Sequence, residues 1–418
     1  MRDRDLYATI LGIRTPWEVV DVVLDDVQQR VEVRLAVKDG SLGVCPECGQ
    51  PAPGYDTRER KWRHLDTCQF QTVLAAAVPR INCPEHGVKQ IRVPWAEDGS
   101  RFTALFEALA IDWLKAGSIT AVSGLLRLTW DEVSGIMGRA VKRGLARRER
   151  SVPRRMGVDE TSFAKRHEYV TVISDQETGA VMLVGDGRGR EALDAYYAGL
   201  SAAELTSIDS VSMDMSAAYI AATVTHVPDA DRKICFDKFH VASHLGSAVD
   251  HVRRREHREL TASGDSTLSG TRYLWLKTPG NMTRKVKAQL EALRAEALLT
   301  ARAWYYKEWA MGLWHYGSRT WAKKAWDEWY RSAVRTNLEP IKKAARTVKR
   351  HLYGIINAIV LGITNAHAEG LNSGIQRIKA QARGFRNRTR FRNAIYFHFG
   401  QLDLYPSGTR RVSTHTES

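Results

Sequence analysis

From residue 156 onward the apolar residues follow an order that few folds can satisfy. Three strand-like runs come first, at 156–159, 169–173 and 180–184, joined by turn-like segments. A helical stretch at 190–200, a strand at 210–214, a helix at 216–224 and a strand at 233–236 follow. Runs of β-branched residues bounded by turn residues argue for the strands, and apolar residues at three- and four-residue spacing for the helices. From about residue 245 to 361 helix formers dominate and no strand is visible; one more helix reads at 366–382. A regular parallel βαβ series does not look like this. The order suits a mixed α/β sheet interrupted by a long helical insertion.

The first 155 residues read differently. Residues 5–40 hold a short lead helix or strand and an alternating strand, Val31-Glu32-Val33-Arg34-Leu35-Ala36-Val37. Residues 41–95 are rich in Cys, Pro and Gly, with short β-type runs such as 73–78, and 102–145 turn to a helical period. A basic stretch at 147–155 containing Pro153 closes this half. The expected divisions are an N-terminal segment 1–40, a zinc-binding module 41–100, a helix-turn-helix domain 101–150 and the first part of the sheet domain 151–245. A helical insertion 246–350, the second part of the sheet domain 351–405 and a flexible tail 406–418 complete the chain.

Cys45-Pro46-Glu47-Cys48 and Cys83-Pro84-Glu85-His86 are two ligand pairs with the same internal spacing. A Cys-x-x-Cys turn sets both thiols on one side of a knuckle, and two such pairs supply the four S/N ligands of a closed tetrahedral Zn²⁺ site. Zinc binding would contribute folding energy to a module with little core of its own. Cys68 and Cys235 read as packing residues.

Residues 118–126 and 130–142 read as two helices joined by Arg127-Leu128-Thr129, with Thr129 as N-cap and Glu132 three residues on, the pattern of a capping box. A helix-turn-helix would place the second helix in a major groove, with Trp130, Arg139, Lys142 and Arg143 toward DNA. A plain helical hairpin fits the same residues.

Charge points the same way. The 418 residues hold 62 Lys+Arg against 47 Asp+Glu, a formal charge of +15, and such a surplus favours a polyanionic partner. Residues 377–392 hold no acid at all and interleave their cations with Phe385 and Phe391, rings available for stacking beside a phosphate-tracking surface. No apolar run approaches the ~20 residues of a membrane span. Five cysteines cannot form a secreted disulfide framework, and the charged opening Met1-Arg2-Asp3-Arg4-Asp5 leads into no signal-type region. The expected compartment is the cytoplasm, with no membrane partner.

Asp159 and Asp214 each sit where an apolar strand gives way to polar residues, and Glu369 begins a helix far downstream. Three carboxylates from separate elements can hold two divalent ions for phosphodiester chemistry. With 47 acids many triplets could be drawn, and solvated acids fit the same residues. Gly185-Asp186-Gly187-Arg188-Gly189-Arg190 imitates a dinucleotide fingerprint, but Arg190 stands at its third Gly position and the strands before it meander. Trp304, Trp309, Trp314, Trp321, Trp326 and Trp329 are expected in the core of the insertion rather than on a stacking platform.

Three segments together resemble the acidic motifs of DDE transposases of the ISL-three insertion-sequence family. They are Gly157-Val158-Asp159-Glu160, Ser212-Met213-Asp214-Met215-Ser216-Ala217-Ala218-Tyr219 and Asn365-Ala366-His367-Ala368-Glu369-Gly370-Leu371-Asn372-Ser373. The Cys/His module, the helix-turn-helix and the closing Arg383-Gly384-Phe385-Arg386-Asn387 follow that family's order, so the resemblance spans about 45–399. It implies an RNase H-like mixed sheet split by an all-helical insertion, with Asp159, Asp214 and Glu369 as a catalytic triad holding Mg²⁺ or Mn²⁺. Asp237-Lys238-Phe239-His240 resembles the Asp/Cys-x-x-His motif found after the next core strand of several transposase superfamilies, which implies that Asp237 and His240 are site-adjacent; a strand-end acid and a satisfied histidine fit the same residues. Gln376 and Lys379 fall on nearly the same helical face as Glu369 and could meet DNA beside the site, although a solvated face fits them equally; Arg383, Arg386 and Arg388 are expected to meet DNA. The resemblance further implies binding to an element's terminal inverted repeats and to target DNA, cleavage and strand transfer, a homodimer or larger assembly on DNA, and association with the nucleoid. An inactive, zinc-containing DNA-binding regulator and a metal-dependent nuclease that does not join strands are the alternatives.

Overall fold

The computed structural model describes residues 3–38, 43–164, 168–277, 280, 282–296, 298–363 and 366–409; the side chains of Ala164, Ala366 and Glu369 are outside that description. Two compact units are present, one formed by residues 1–148 with 402–418 and the other by residues 149–401.

The first unit begins with α1 (Asp3–Ile10), β1 (Trp17–Asp25) and β2 (Arg30–Val37), followed by β3 (Gly43–Val44), β4 (Pro51–Ala52), β5 (Gly54–Arg63), β6 (Gln71–Cys83) and β7 (Gly87–Gln90). The sheet order is β1-β2-β6-β5, with β7 added on β6. Strand β2 lies parallel to β6, Val33 beside Leu74. The two segments divided at residue 40 in the sequence therefore share one sheet, because the apolar alternation of 31–37 needs β6 to complete its buried face. Trp17, Trp62 and Trp95 meet edge-on in that core, with centroids 4.7 and 5.4 Å apart.

Three helices follow, α2 (Ala104–Ala116), α3 (Ile119–Leu126) and α4 (Trp130–Arg147). Thr129 and Glu132 form the reciprocal capping box that starts α4, and Arg127 takes the left-handed conformation at the end of α3. The second helix runs five residues beyond the stretch read from sequence. Of the expected tail, residues 406–409 are described and the rest lie outside; Leu402, Leu404 and Pro406 are buried in this unit.

The second unit opens with β8 (Arg155–Ala164), β9 (Glu168–Asp175) and β10 (Val181–Asp186), an antiparallel meander. Helices α5 (Glu191–Ala198) and α6 (Ala202–Ser207) lead to β11 (Ser210–Met213), and α7 (Ala217–His226) and α8 (Ala230–Lys233) lead to β12 (Ile234–Phe236). The order is β10-β9-β8-β11-β12, with β8, β11 and β12 parallel. This is the mixed sheet the strand order required.

Helix α9 (Lys238–Ala262) then runs about 37 Å at 1.5 Å per residue, so it crosses the expected boundary at 245 without a break. The insertion continues through α10 (Arg272–Leu276), α11 (Arg284–Ala295), α12 (Leu299–Gly312), α13 (Arg319–Arg335) and α14 (Glu339–Arg350). Its core holds Trp275, Trp304, Trp326 and Trp329, continuous with the apolar residues under the sheet. Trp321 departs from the expected core and stands 59% exposed. Buried Glu256 on α9 accepts from the Leu299 and Thr300 amides at 2.6 and 2.7 Å, placing a carboxylate at the positive end of α12.

The chain returns to the sheet through α15 (Leu352–Val360), α16 (Ala366–Gln381) and α17 (Arg388–Phe399). A Cβ on Gly354 would stand 2.4 Å from the Phe236 ring, so glycine is what lets α15 lie against β12. Asn357 fixes that packing by donating to the carbonyls of Asp231 and Ile234 at 2.8 Å each. Among the described residues no helix is long and apolar enough to cross a membrane.

Candidate active site and metal-ligating residues

Parallel pairing of β8 with β11 sets the site. Ser212 lies beside Gly157, and carrying that register two residues further brings Asp214 alongside Asp159. Asp214 is the first residue past its strand; its Oδ1 accepts from the Ser216 amide at 3.0 Å, turning the chain into α7. Asp159 Oδ1 accepts from the Glu160 amide at 2.7 Å, and its Oδ2 accepts from the Asn372 side chain on α16.

A small pocket of about 20 Å³ gathers Asp159, Asp214, Asp237, His240, Ala368, Leu371 and Asn372. Glu369 belongs to the same turn of α16, but its side chain lies outside the described residues. Burial pushes the Asp214 carboxyl above its ordinary range, the Ser216 amide and His240 pull it back, and the charge of Asp159 adds to the rise. Glu160 is raised as well, by burial first and then by Asp214. Crowded, partly desolvated carboxylates are disfavoured in their charged form unless a cation joins them, and oxygen donors suit a hard divalent ion. The described carboxylates therefore suit a hard divalent cation.

Asp237 and His240 come to the pocket from the start of α9. Asp237, 8% exposed, caps that helix by accepting from the Phe239 amide at 2.8 Å. Three neighbours escape a reading of the sequence. Asn372 lies one helical turn after Glu369, a spacing that could have singled it out. Glu160 follows Asp159 directly, and His244, one turn beyond His240, is held below its ordinary pKa by burial and the nearby histidines.

Gln376 and Lys379 face strand β8: Gln376 donates to Thr161 Oγ1 at 3.2 Å and Lys379 to the Ser162 carbonyl at 2.7 Å. With Asn372 they form a polar seam that fastens α16 to β8. Arg383 and Arg386 are exposed on the loop before α17, and Arg388 pairs with Glu168 at 3.1 Å. Of the rings expected beside them, Phe391 is fully buried and so is not open for stacking, and half-buried Phe385 rests on it with centroids 5.1 Å apart.

In the first unit the β3–β4 turn presents Cys45 and Cys48, and the β6–β7 turn presents Cys83 and His86. Their ligand atoms lie within 4.8 Å of one another. Cys48 Sγ and Cys83 Sγ are 3.8 Å apart, and His86 Nδ1 is 3.7 and 3.9 Å from the Cys83 and Cys45 sulfurs. A tetrahedron with Zn–S of about 2.3 Å has an edge of about 3.8 Å, so the cluster fits Zn²⁺. The imidazole's other nitrogen, Nε2, faces Glu47 at 3.5 Å, which points Nδ1 at the sulfurs. Hydrogen bonds from His86 hold the Cys83 thiol down at about 6. Cys235 is buried in β12, whereas Cys68 is exposed and is not a packing residue.

The four residues proposed for DNA on α4 divide. Lys142 is exposed and Trp130 is half-buried. Arg143 is buried: it donates to Glu97 at 2.8 Å, to Glu107 at 2.9 Å and to the Leu404 carbonyl. Its donors are consumed inside the unit, so it cannot reach a phosphate, and the expectation for it is corrected. Arg139 also donates to Glu107, at 2.6 Å, with its side chain one-third exposed. The helical period alone could not show that Glu107 would stand 1% exposed and draw two guanidiniums inward.

Comparison with known proteins agrees with this layout. Residues 156–395 match a family model described as transposase. Residues 41–86 match the zinc-finger of transposase IS204/IS1001/IS1096/IS1165, and 91–141 the helix-turn-helix domain of transposase family ISL3. The chain is 30% identical to the transposase for insertion sequence element IS1557 of Mycobacterium tuberculosis, over 93% of each chain. It is 26% identical to the transposase for insertion sequence element IS1001 of Bordetella parapertussis, over 83% of this chain and 86% of that one.

Proposed function

The chain belongs to the ISL3 family of insertion-sequence transposases, and on that premise we propose that it cuts and joins DNA at an RNase H-like site formed by Asp159, Asp214 and Glu369. The observation that carries this reading is the β8–β11 register, which brings two carboxylates from separate strands side by side with α16 fastened against them. The three acids would hold Mg²⁺ or Mn²⁺, which would supply activation of the attacking oxygen and neutralisation of the leaving one. Asn372 and the Glu160 amide hold the two Asp159 oxygens in place, and the Ser216 amide holds Asp214. His240 lines the same pocket as Asp214.

Zn²⁺ on Cys45, Cys48, Cys83 and His86 would support the fold of the first unit. That unit, through α3 and α4 with Lys142 and Trp130, would bind the element's terminal inverted repeats, and Arg383, Arg386 and Arg388 would hold DNA backbone. Two ends must be processed together, so the working form is a dimer or larger assembly on DNA, acting on the nucleoid in the cytoplasm.

The test supplies purified protein with Mg²⁺ or Mn²⁺, pre-cut DNA ends of the encoding element and a supercoiled target plasmid. Joined products support a transposase. Cutting without joining would mean a nuclease, and binding alone a regulator.

A further inference from the structure

Between Arg319 and Arg350 the sequence places ten Lys/Arg against three Asp/Glu, so 32 residues hold seven of the fifteen net positive charges of the chain. They form α13 and α14. Each helix turns an apolar face inward: Ala322, Trp326, Trp329 and Ala333 on α13, and Ile341, Ala344, Ala345 and Val348 on α14. The cations are displaced to the opposite faces, where Lys323, Lys324, Lys343, Arg346, Lys349 and Arg350 are exposed. Lys349 joins the two surfaces, bonded to Asp327 and placed 5.6 Å over the Tyr330 ring. The outer face is therefore continuous across both helices.

Ordinary solvated helix faces intersperse both signs. Here Asp327 is taken by Lys349, and Glu339 lies between Lys342 and Arg346 at 3.5 and 3.4 Å. Lys323, Lys343 and Arg350 form no ion pair among the described residues. Trp321 adds an indole to this surface, with the Lys324 ammonium 5.3 Å from its ring. A membrane surface is a poor match, because the apolar side of each helix is already buried in the protein and none is left to insert.

We propose that the outer face of α13 and α14 binds the sugar-phosphate backbone of duplex DNA, independently of sequence, at a site separate from α3–α4 and from the 383–388 loop. The inference rests on DNA being the substrate. Closely set cations with little compensating acid are what counterion release from a polyanion rewards, and an exposed indole can rest on a sugar or an unstacked base.

The experiment uses the full-length protein and a fluorescent 40-bp duplex of random sequence (a choice of probe that needs no knowledge of the element ends), read by anisotropy between about 50 and 200 mM salt. A triple variant, Lys323→Ala with Lys343→Ala and Arg350→Ala, is compared with a control of equal charge change, Arg284→Ala with Lys285→Ala and Lys287→Ala on α11. All six side chains are exposed, and circular dichroism confirms the fold. The expected result is a tenfold or greater loss of affinity in the first variant. Its slope of log K against log salt should fall by about 2 to 3, at ~0.9 for each phosphate no longer neutralised, and the control should stay near wild type. Equal losses in both variants, or none in either, would overturn the inference and leave the transposase reading standing. Retained duplex binding with lost binding to phosphatidylglycerol vesicles would overturn it in favour of a lipid surface. A wild-type protein that binds no duplex would remove both.

Discussion

Asn372 on α16 donates its side-chain amide to Asp159 on β8, tying the helix that carries Glu369 to the strand that carries the first carboxylate. The amide fixes the direction of the Asp159 oxygens, as partners behind metal-binding carboxylates do. Asn372→Ala is expected to lower DNA cleavage about 10- to 100-fold while leaving DNA binding within about twofold. Asn372→Asp should do worse, because it adds a charge to a crowded acidic site. Single-turnover cleavage beside a binding isotherm checks both, and full activity in Asn372→Ala would remove the positioning role.

Zinc should be bound at one ion per chain. Its removal by a chelator, or Cys83→Ser, should unfold the knuckle between β3–β4 and β6–β7 and abolish specific end binding. Apparent zinc energies of about 10–16 kcal/mol in small modules exceed what a cluster as small as Cys45, Ala52, Ile81 and Cys83 can supply. Elemental analysis and thermal unfolding with and without chelator measure this; a chelated protein with an unchanged melting curve would contradict it.

How much of the molecule is legible in its sequence differs by level. Strand order, the capping box at Thr129 and Glu132, and the two ligand pairs are readable because each is a local pattern with a local cause. The pairing of β2 with β6 is not, since 31–37 and 71–76 are far apart in sequence and neither pattern names its partner strand. Arg143 misleads for a similar reason: its burial depends on Glu97, Glu107 and the returning Leu404, none of which a helical wheel reveals. Asn372 and Glu160 sit inside the acidic motifs, and although the helical spacing from Glu369 hints at Asn372, only the fold shows which of several polar neighbours faces the carboxylates. The exposed cations of α13 and α14 hide behind tryptophans that read, mostly correctly, as core.

His64 makes the first unit acid-sensitive. It is buried, 6% exposed, with Nδ1 2.9 Å from the hydroxyl of Thr103, the residue that caps α2. Burial, with the charge of Arg63, lowers its pKa from 6.5 to about 4. The unfolded chain therefore takes up this proton near 6.5 and the folded chain only near 4, so the contribution is full above 6.5 and is lost as pH falls toward 4. At 1.36 kcal/mol per unit the loss is about 3 kcal/mol. Denaturant melts of wild type and His64→Gln between pH 7 and 4 should show a flatter pH dependence in the variant; parallel curves would contradict the assignment.

Arg143 and Lys142, neighbours on α4, should behave oppositely. Arg143→Ala leaves Glu107 buried with one guanidinium fewer and is expected to cost about 3–5 kcal/mol of stability. Lys142→Ala should leave the melting midpoint unchanged and weaken DNA binding across sequences, with the salt slope reduced by about 1. A stable Arg143→Ala protein with selectively lost DNA binding would restore Arg143 to the DNA face.

The most direct measurement follows cleavage of labelled DNA carrying the element end, in Mg²⁺ and in Mn²⁺, by wild type, Asp159→Asn, Asp214→Asn and Glu369→Gln. The account predicts metal-dependent cutting by wild type and none above background in the three variants, each binding the same DNA with unchanged affinity. Cutting that survives in any one of them would show that Asp159, Asp214 and Glu369 do not together perform the chemistry.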